Sequence, residues 1–258
     1  MKNKIVIKIG TNVLSDDSGR IDYNVMESLV NEITKIKKQG KDILLVTSGA
    51  IGAGMAELNI LKRPEDVKMQ QACAAVGQSI LISKYRQFFN KYNIKVAQIL
   101  LTYDDLLDKN TEINLGNSID SLLKLNTIPI INENDPISIN ELGPSFGDND
   151  NLSAIVAKEV KAEMLILLTV TDGLYDKDPK SKDAKIIREV KKFDNKITNL
   201  DGKSVLGVGG IKTKIAAAKL ATESGILTIM ANGKRKNTLI ELFEGKKLGT
   251  VFYPKQKQ

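Results

Sequence analysis

The sequence predicts an α/β fold, a three-layer αβα sandwich in which helices cover both faces of a mostly parallel central sheet. Short apolar runs rich in β-branched residues alternate with longer amphipathic stretches, and this alternation favours parallel strands joined by helical crossovers. Several of the short runs are apolar almost throughout, as expected of strands covered on both faces. The chain has 258 residues, 42% of them hydrophobic, which is enough for one sizeable core.

Seven strands and six long helices follow from these patterns. The first helix begins near Asp22 or Asn24 and ends at Gly40, because glycine is typical of a helix C-terminus. The predicted strands are 4–9, 43–46, 96–101, 128–132, 164–168, 227–231 and 250–253. The other predicted helices are 67–92, 112–125, 151–160, 210–224 and 238–243.

No linker or composition shift marks a domain boundary, so we expect one domain over residues 1–254. The segment 176–199 is polar and charged, and we interpret it as an insertion or a lid-like region. The short tail 255–258 is predicted to be disordered.

The composition excludes several kinds of chemistry. The chain has no histidine and one cysteine, which excludes Ser-His nucleophilic systems and internal disulfides and disfavours a zinc site. Cys73 lies in an apolar stretch and is predicted to be a buried small hydrophobe. A chain with one cysteine fits a reducing, cytoplasmic location. No apolar run reaches 18 residues and the N-terminus lacks a signal-peptide pattern, so we expect no signal peptide and no membrane partner.

The formal net charge of +7 raises a distant alternative, a non-catalytic nucleic-acid-binding protein. The lysines are spread along the chain, aromatic residues make up 5% of it, and it has no tryptophan. Platforms for base stacking are therefore scarce, and no nucleic-acid partner is expected.

Polar turns with anion-compatible residues follow the predicted strands. Open α/β sheets bind their ligands beyond the carboxyl ends of the strands. Lys8 ends the first strand, where a buried lysine is costly unless it meets an anion; the alternative is that it faces solvent. The other polar turns are 47–54, 132–136, 147–151 and 169–175. Each has a structural interpretation, helix packing for the glycines or turn formation for Asn and Asp, but together they indicate an anion site.

A glycine-rich turn, Gly-Val-Gly-Gly-Ile-Lys-Thr-Lys at 207–214, opens the predicted helix 210–224. Backbone N–H groups and the positive end of the helix dipole suit a phosphate at such a turn. The order differs from that of a P-loop, because Thr213 precedes Lys214. A helix start whose glycines serve close packing is the alternative interpretation.

In these motifs the chain resembles the glutamate 5-kinases of the amino acid kinase superfamily. The matching stretches occur in the order of that family and lie at 8–11, 46–51, 77–78, 131–135, 147–154, 172–175 and 207–214. The resemblance implies the amino acid kinase fold and ATP-dependent phosphorylation of the γ-carboxylate of L-glutamate, the first step of proline biosynthesis. Another carboxylate kinase of the superfamily, such as N-acetylglutamate kinase, is the nearer alternative, but an acid at Asp135 favours a substrate with a free ammonium.

The resemblance also implies a role for each motif. Lys8 and Lys214 would contact the transferring phosphoryl group, Asp150 would hold both lysines, and Asp135 would lie near the α-amino group of glutamate. The remaining glutamate-binding residues would be Ser48 and Asn149. The remaining nucleotide-binding residues would be Thr169, Val170, Val208, Gly209, Gly210, Ile211, Lys212 and Thr213.

The resemblance further implies that Mg²⁺ enters with ATP, bound by phosphates and water rather than by a protein metal site, and that the chain forms a homo-oligomer, a dimer or a tetramer. Three departures accompany it. Val170 stands where the family usually has Asp, the loop 137–146 is slightly longer, and the additional C-terminal RNA-binding-like module of many members is not expected here. The composition agrees with the chemistry, because a γ-carboxylate with a pKa of about 4.3 needs no general base.

Overall fold

The computed structural model describes residues 4–16, 18–102, 104–137, 149–198, 200 and 210–255. The strands are β1 Lys4–Ile9, β2 Asp42–Val46, β3 Val96–Leu101, β4 Ile128–Glu133, β5 Met164–Thr169, β6 Leu174–Tyr175, β7 Ile186–Ile187, β8 Glu189–Val190, β9 Leu227–Asn232 and β10 Thr250–Phe252. The helices are α1 Thr11–Leu14, α2 Tyr23–Lys38, α3 Ala50–Glu57, α4 Val67–Asn90, α5 Lys109–Lys124, α6 Asn149–Glu159, α7 Asn195–Thr198, α8 Ile211–Glu223 and α9 Thr238–Phe243, with a 3-10 turn at Asp104–Leu106.

Eight strands form one central sheet in the order β3-β4-β2-β1-β5-β9-β10-β8. The first six of these run parallel, whereas β10 pairs antiparallel with β9 and carries β8 parallel to itself. The predicted mostly parallel sheet is therefore confirmed. None of the described helices combines the length and apolar character that crossing a membrane requires.

Helices cover both faces of this sheet, and side chains alternate between them along β1. Ile5, Ile7 and Ile9 belong to the core that α2, α3 and α4 close, whereas Val6 belongs to the core beneath α5, α6 and α8. Lys8 is two residues beyond Val6 and so lies on the same face as α6 and α8. The αβα sandwich predicted from the sequence is confirmed, and its alternation decides which helices can reach Lys8.

The predicted element boundaries agree with the structure to within a few residues. Asp22 caps α2, its side chain accepting hydrogen bonds from the backbone N–H groups of Asn24 and Val25 at 2.9 and 3.2 Å. Cys73 is fully buried, as predicted. In the predicted disordered tail, the N–H of Lys255 donates to the carbonyl of Thr222 at 3.2 Å, and residues 256–258 lie outside the described residues.

The interpretation of 176–199 as an insertion or lid is wrong in part. This segment contains β7, α7 and β8, and β8 is the edge strand of the main sheet beside β10. The prediction missed β8 because the segment is polar. A short edge strand is partly exposed to solvent and does not need an apolar run.

Two glycines bring the backbones of α3 and α4 into direct contact. A Cβ atom on Gly54 would lie 1.8 Å from the carbonyl oxygen of Cys73, and one on Gly77 would lie 1.9 Å from that of Ala50. The packing interpretation of the glycines in 47–54 therefore holds for Gly54. The contact fixes the turn between β2 and α3, whose Gly49 has a left-handed φ of 109°.

Candidate active site

The carboxyl ends of the central strands meet beneath the N-termini of α6 and α8. In the sheet register Lys8 pairs with Val46 of β2 on one side and with Leu167 of β5 on the other. The polar turns after β2, β4 and β5 therefore open at the same edge of the sheet as Lys8. This is the position at which open α/β sheets bind ligands.

A buried cluster of two lysines and one aspartate lies at this edge. Lys8 Nζ is 2.5 Å from Asp150 Oδ1, and Lys214 Nζ is 2.9 Å from Asp150 Oδ2. The side chains of Asp150 and Lys8 are 0% and 3% exposed, and that of Lys214 is 11% exposed. The hydroxyl of Thr213 also donates to Asp150 Oδ2 at 3.0 Å. The alternative that Lys8 faces solvent is thereby excluded.

The charge of this cluster suits an anion. Burying an ion costs several kcal/mol unless a close partner compensates it, and Asp150 compensates both ammonium groups at once. Two ammonium groups and one carboxylate leave a net charge of +1 beside the first turn of α8, whose positive dipole end adds to the attraction. Gly10 makes room for this arrangement, because a Cβ atom there would lie 3.2 Å from Lys8 Nζ.

A second cluster, built on amide side chains, adjoins the first. Asn149 directly precedes Asp150, and the two N–H groups of its Nδ2 are shared among three acceptors, the carbonyl of Thr47, Ser48 Oγ and Asn132 Oδ1, at 2.7, 2.9 and 2.9 Å. Asn132 in turn donates to Gln78 Oε1 at 2.7 Å. The first two residues of α6 therefore join the amide cluster to the charged one.

Helix α4 supplies two polar residues to this region that the sequence-based assignment did not include. Gln78 contacts Asn132, and the hydroxyl of Tyr85 lies 2.9 Å from that of Thr47. Tyr85 is fully buried, and this burial raises the pKa of its hydroxyl, which stays neutral. Gln78 belongs to the Gly-Gln motif at 77–78, which was the available signal; Tyr85 has no comparable signal in the sequence.

The other predicted site residues lie at the same edge of the sheet or outside the described residues. Asp135 is half-buried in the turn two residues beyond β4. Thr169 ends β5 and its carbonyl accepts from the N–H of Gly233 at 2.8 Å, while Val170 is 44% exposed. Gly210 is the N-cap of α8, followed by a half-buried Ile211 and an exposed Lys212. Val208 and Gly209 lie outside the described residues.

A side-chain hydrogen bond links the end of β9 to the turn that follows β5. Asn232 Nδ2 donates to Asp172 Oδ1 at 2.9 Å, within the turn where Val170 replaces the expected aspartate. Over the described residues, no group of three or more Asp, Glu, Cys or His side chains is arranged to hold a metal ion. Asp150, the carboxylate described in the charged cluster, already pairs with two lysines.

Comparison with known proteins agrees with this fold. The family model described as "Amino acid kinase family" matches residues 3–232. A carbamate kinase from Giardia lamblia bound to AMP-PNP covers 98% of this chain and is itself covered to 99%, with a TM-score of 0.67 at 18% identity. A UMP kinase from Ureaplasma parvum gives the same coverage with a TM-score of 0.64 at 20% identity.

Two curated relatives are much closer in sequence. The glutamate 5-kinase of Caldanaerobacter subterraneus subsp. tengcongensis is 44% identical over 254 residues, which is 97% of this chain and 68% of the relative. The glutamate 5-kinase of Clostridium perfringens is also 44% identical, over 98% of this chain and 96% of the relative. The chain therefore belongs to the amino acid kinase family. Within that family its place is among the glutamate 5-kinases.

Proposed function

We infer that this chain is a kinase that transfers the γ-phosphoryl group of ATP to the side-chain carboxylate of L-glutamate. The product is L-glutamyl 5-phosphate, and the reaction opens proline biosynthesis. One observation of the site carries this inference beyond the relatives: Asn149 and Asp150, adjacent on α6, join an amide cluster suited to an amino acid to a lysine cluster suited to phosphate.

The proposed reaction needs no proton transfer. A γ-carboxylate oxygen of glutamate attacks the γ-phosphorus of ATP, the bond from that phosphorus to the bridging oxygen breaks, and ADP leaves with the electron pair. Because the nucleophile has a pKa of about 4.3, it is already ionised at neutral pH. The chemical difficulty is repulsion between two anions, which a histidine-free site relieves through charge and alignment.

In this mechanism Lys8 and Lys214 contact the transferring phosphoryl group, and Asp150 keeps their ammonium groups in place. Both lysines would stabilise the charge that spreads over the phosphoryl oxygens in the transition state. The first turn of α8, Gly210–Lys214, with Thr169 and Val170, would hold the rest of the nucleotide. The backbone of Val170 can serve this role, although its side chain offers no carboxylate.

The proposed glutamate site combines Ser48, Asp135 and Asn149. Ser48 Oγ accepts a hydrogen bond from Asn149, so its own hydrogen points elsewhere and is suited to a substrate carboxylate. The Asp135 carboxylate is suited to the α-ammonium group. An N-acetylated substrate has no ammonium, which is why we propose free glutamate over N-acetylglutamate.

Mg²⁺ is proposed to bind through the phosphates of ATP and water. When bound it neutralises phosphate charge, and the lysine-rich site fits an ion that brings its ligands with the nucleotide. A homo-oligomer and a cytoplasmic location stay predictions. Sedimentation of the purified chain would test the first, and a fully active, stable monomer would contradict it.

A substrate panel tests the proposed function directly. ADP release is measured with glutamate, N-acetylglutamate and no acceptor, each with and without proline. We expect release that depends on glutamate. Turnover of N-acetylglutamate but not of glutamate would overturn the choice of substrate, and RNA binding at physiological salt with no kinase activity would overturn the enzyme itself.

Replacement of Asp135 by alanine is expected to raise the KM for glutamate by about 10- to 100-fold, because a hydrogen bond to a charged group contributes roughly 1.5–3 kcal/mol. The KM for ATP should change by less than about twofold, since Asp135 lies on the amino-acid side of the site. Asp120→Ala, at the exposed salt bridge between Asp120 and Lys4, is the matched control and should behave as the unmodified enzyme. An unchanged glutamate KM in folded Asp135→Ala would refute the assignment.

A further inference from the structure

The amide cluster has a defined hydrogen-bond direction. The carbonyl oxygen of Thr47 can only accept, so the atom of Asn149 that lies 2.7 Å from it must be the donor Nδ2. The atom of Asn132 facing Nδ2 must then be the acceptor Oδ1, 2.9 Å away. Asn132 therefore turns its own Nδ2 towards Gln78, which meets it with Oε1 at 2.7 Å.

The same reasoning fixes the free end of Asn149. Its Oδ1 points away from Thr47, is inaccessible to solvent, and has no hydrogen-bond partner among the residues that the structure describes. A buried carbonyl oxygen without a donor is costly, and the cost disappears when a ligand supplies a donor. At neutral pH both carboxylates of glutamate only accept, so the donor on this substrate is the α-ammonium group.

We propose that Gln78 is a positioning residue for the amino-acid substrate, which it orients through Asn132 and Asn149 without touching it. This inference rests on the proposed function and assigns part of its substrate selection to α4. Gln78 is 7% exposed and Asn132 1% exposed, so water does not replace either partner freely. Without an acceptor at position 78, the buried Nδ2 of Asn132 loses its partner, and among the described contacts only the hydrogen bond from Asn149 to Oδ1 still favours the present orientation of the Asn132 amide.

The consequence of losing that acceptor is specific. If the Asn132 amide turns over, its NH₂ group faces the NH₂ group of Asn149, and two donors oppose each other. Asn149 must then shift, and its Oδ1 no longer faces the substrate ammonium. Asp150, Lys8 and Lys214 are held by their own ion pairs, so phosphoryl transfer should be affected less than glutamate binding.

The test compares Gln78→Met, Gln78→Glu and Leu81→Ala in the full chain by steady-state kinetics and thermal melting. Gln78→Met keeps the volume but removes the acceptor, and we expect the glutamate KM to rise about tenfold while kcat and the ATP KM stay within about twofold. Gln78→Glu keeps an oxygen acceptor and should restore the glutamate KM to within about threefold. Leu81 is a buried apolar residue on the same helix, so Leu81→Ala should lower the melting temperature and leave the glutamate KM unchanged.

Three outcomes would overturn the proposal. They are an unchanged glutamate KM in Gln78→Met, an equal loss in kcat and both KM values, or a Gln78→Glu enzyme as impaired as Gln78→Met. Gln78→Leu replaces Gln78→Met if the latter does not fold, and failure of both to fold would make Gln78 a structural residue and refute its positioning role. Absence of glutamate turnover in the unmodified chain would instead refute the proposed function, and that control is read first.

Discussion

Replacement of Lys214 by alanine is expected to lower kcat by a factor of about 10²–10³ in an enzyme that stays folded. The reason is that under the proposed mechanism Lys214 Nζ, held 2.9 Å from Asp150 Oδ2, stabilises charge that is greatest in the transition state. Lys8→Ala should lower kcat in the same way, and Lys8→Arg should restore kcat only in part. The space around the Lys8 ammonium is tight, because a Cβ atom on Gly10 would lie 3.2 Å from Nζ. A planar guanidinium is larger than an ammonium and does not fit this space.

Lys219→Ala is the matched control for Lys214→Ala. Lys219 lies on the same helix, α8, but is exposed, so its loss should leave kcat and melting temperature near those of the unmodified enzyme. Steady-state kinetics at saturating ATP and glutamate measure the effect. A near-normal kcat in well-folded Lys214→Ala would rule out contact between this lysine and the transferring group.

Gly77→Ala is expected to lower the free energy of unfolding by at least about 3 kcal/mol. The added Cβ atom would lie 1.9 Å from the carbonyl oxygen of Ala50 and 2.3 Å from the backbone nitrogen of Gly54. These are backbone atoms, so no side-chain rotation relieves the clash and α3 must move away from α4. The melting temperature should fall by roughly 6–12 °C, since a domain of this size loses about 2–4 °C per kcal/mol.

Gly116 provides the opposite control. It lies inside α5, and a Cβ atom there would meet no atom within 4 Å. Gly116→Ala should therefore stabilise the protein by about 0.5–1 kcal/mol through helix propensity. Calorimetry on both variants checks the pair, and a Gly77→Ala protein as stable as Gly116→Ala would show that the two helices do not need their close contact.

The sequence predicts the strands of the sheet well because they are buried on both faces and carry a strong apolar signal. The bounds of β1 and β3 agree at both ends, and β4, β5 and β9 each continue one residue further. The short strands β6, β7 and β8 are not predicted, because a strand of two residues shows no periodicity. In addition, β8 forms its hydrogen bonds with β10, which lies about 60 residues later in the chain.

The candidate site is predictable where a residue type is costly in its position. Lys8 at the end of an apolar strand indicates a nearby anion from its sequence position alone, whereas the pairing of Asp150 with the lysines is expected only from the family resemblance. Gln78 and Tyr85 are different, because glutamine and tyrosine are common on amphipathic helices and only the packing of α4 brings them to Asn132 and Thr47. The Gly-Gln motif marks Gln78 without showing that it contacts Asn132, and Tyr85 carries no comparable signal, because composition and spacing do not encode contacts between distant segments.

The position of β1 in the sheet has an evolutionary consequence. On one side of it, β2 leads into the turn with Ser48, and β4 carries Asn132 and leads into the turn with Asp135; on the other side, β5 ends at Thr169 and is followed by Val170. Under the proposed assignment, glutamate binds at the half of the sheet formed by β2 and β4, and ATP binds at the half that begins with β5. Helix α6 lies between the two halves, with Asn149 on the glutamate side and Asp150 on the ATP side. Acceptor preference can therefore diverge through substitutions confined to one half, while the other half and its phosphate donor are inherited unchanged.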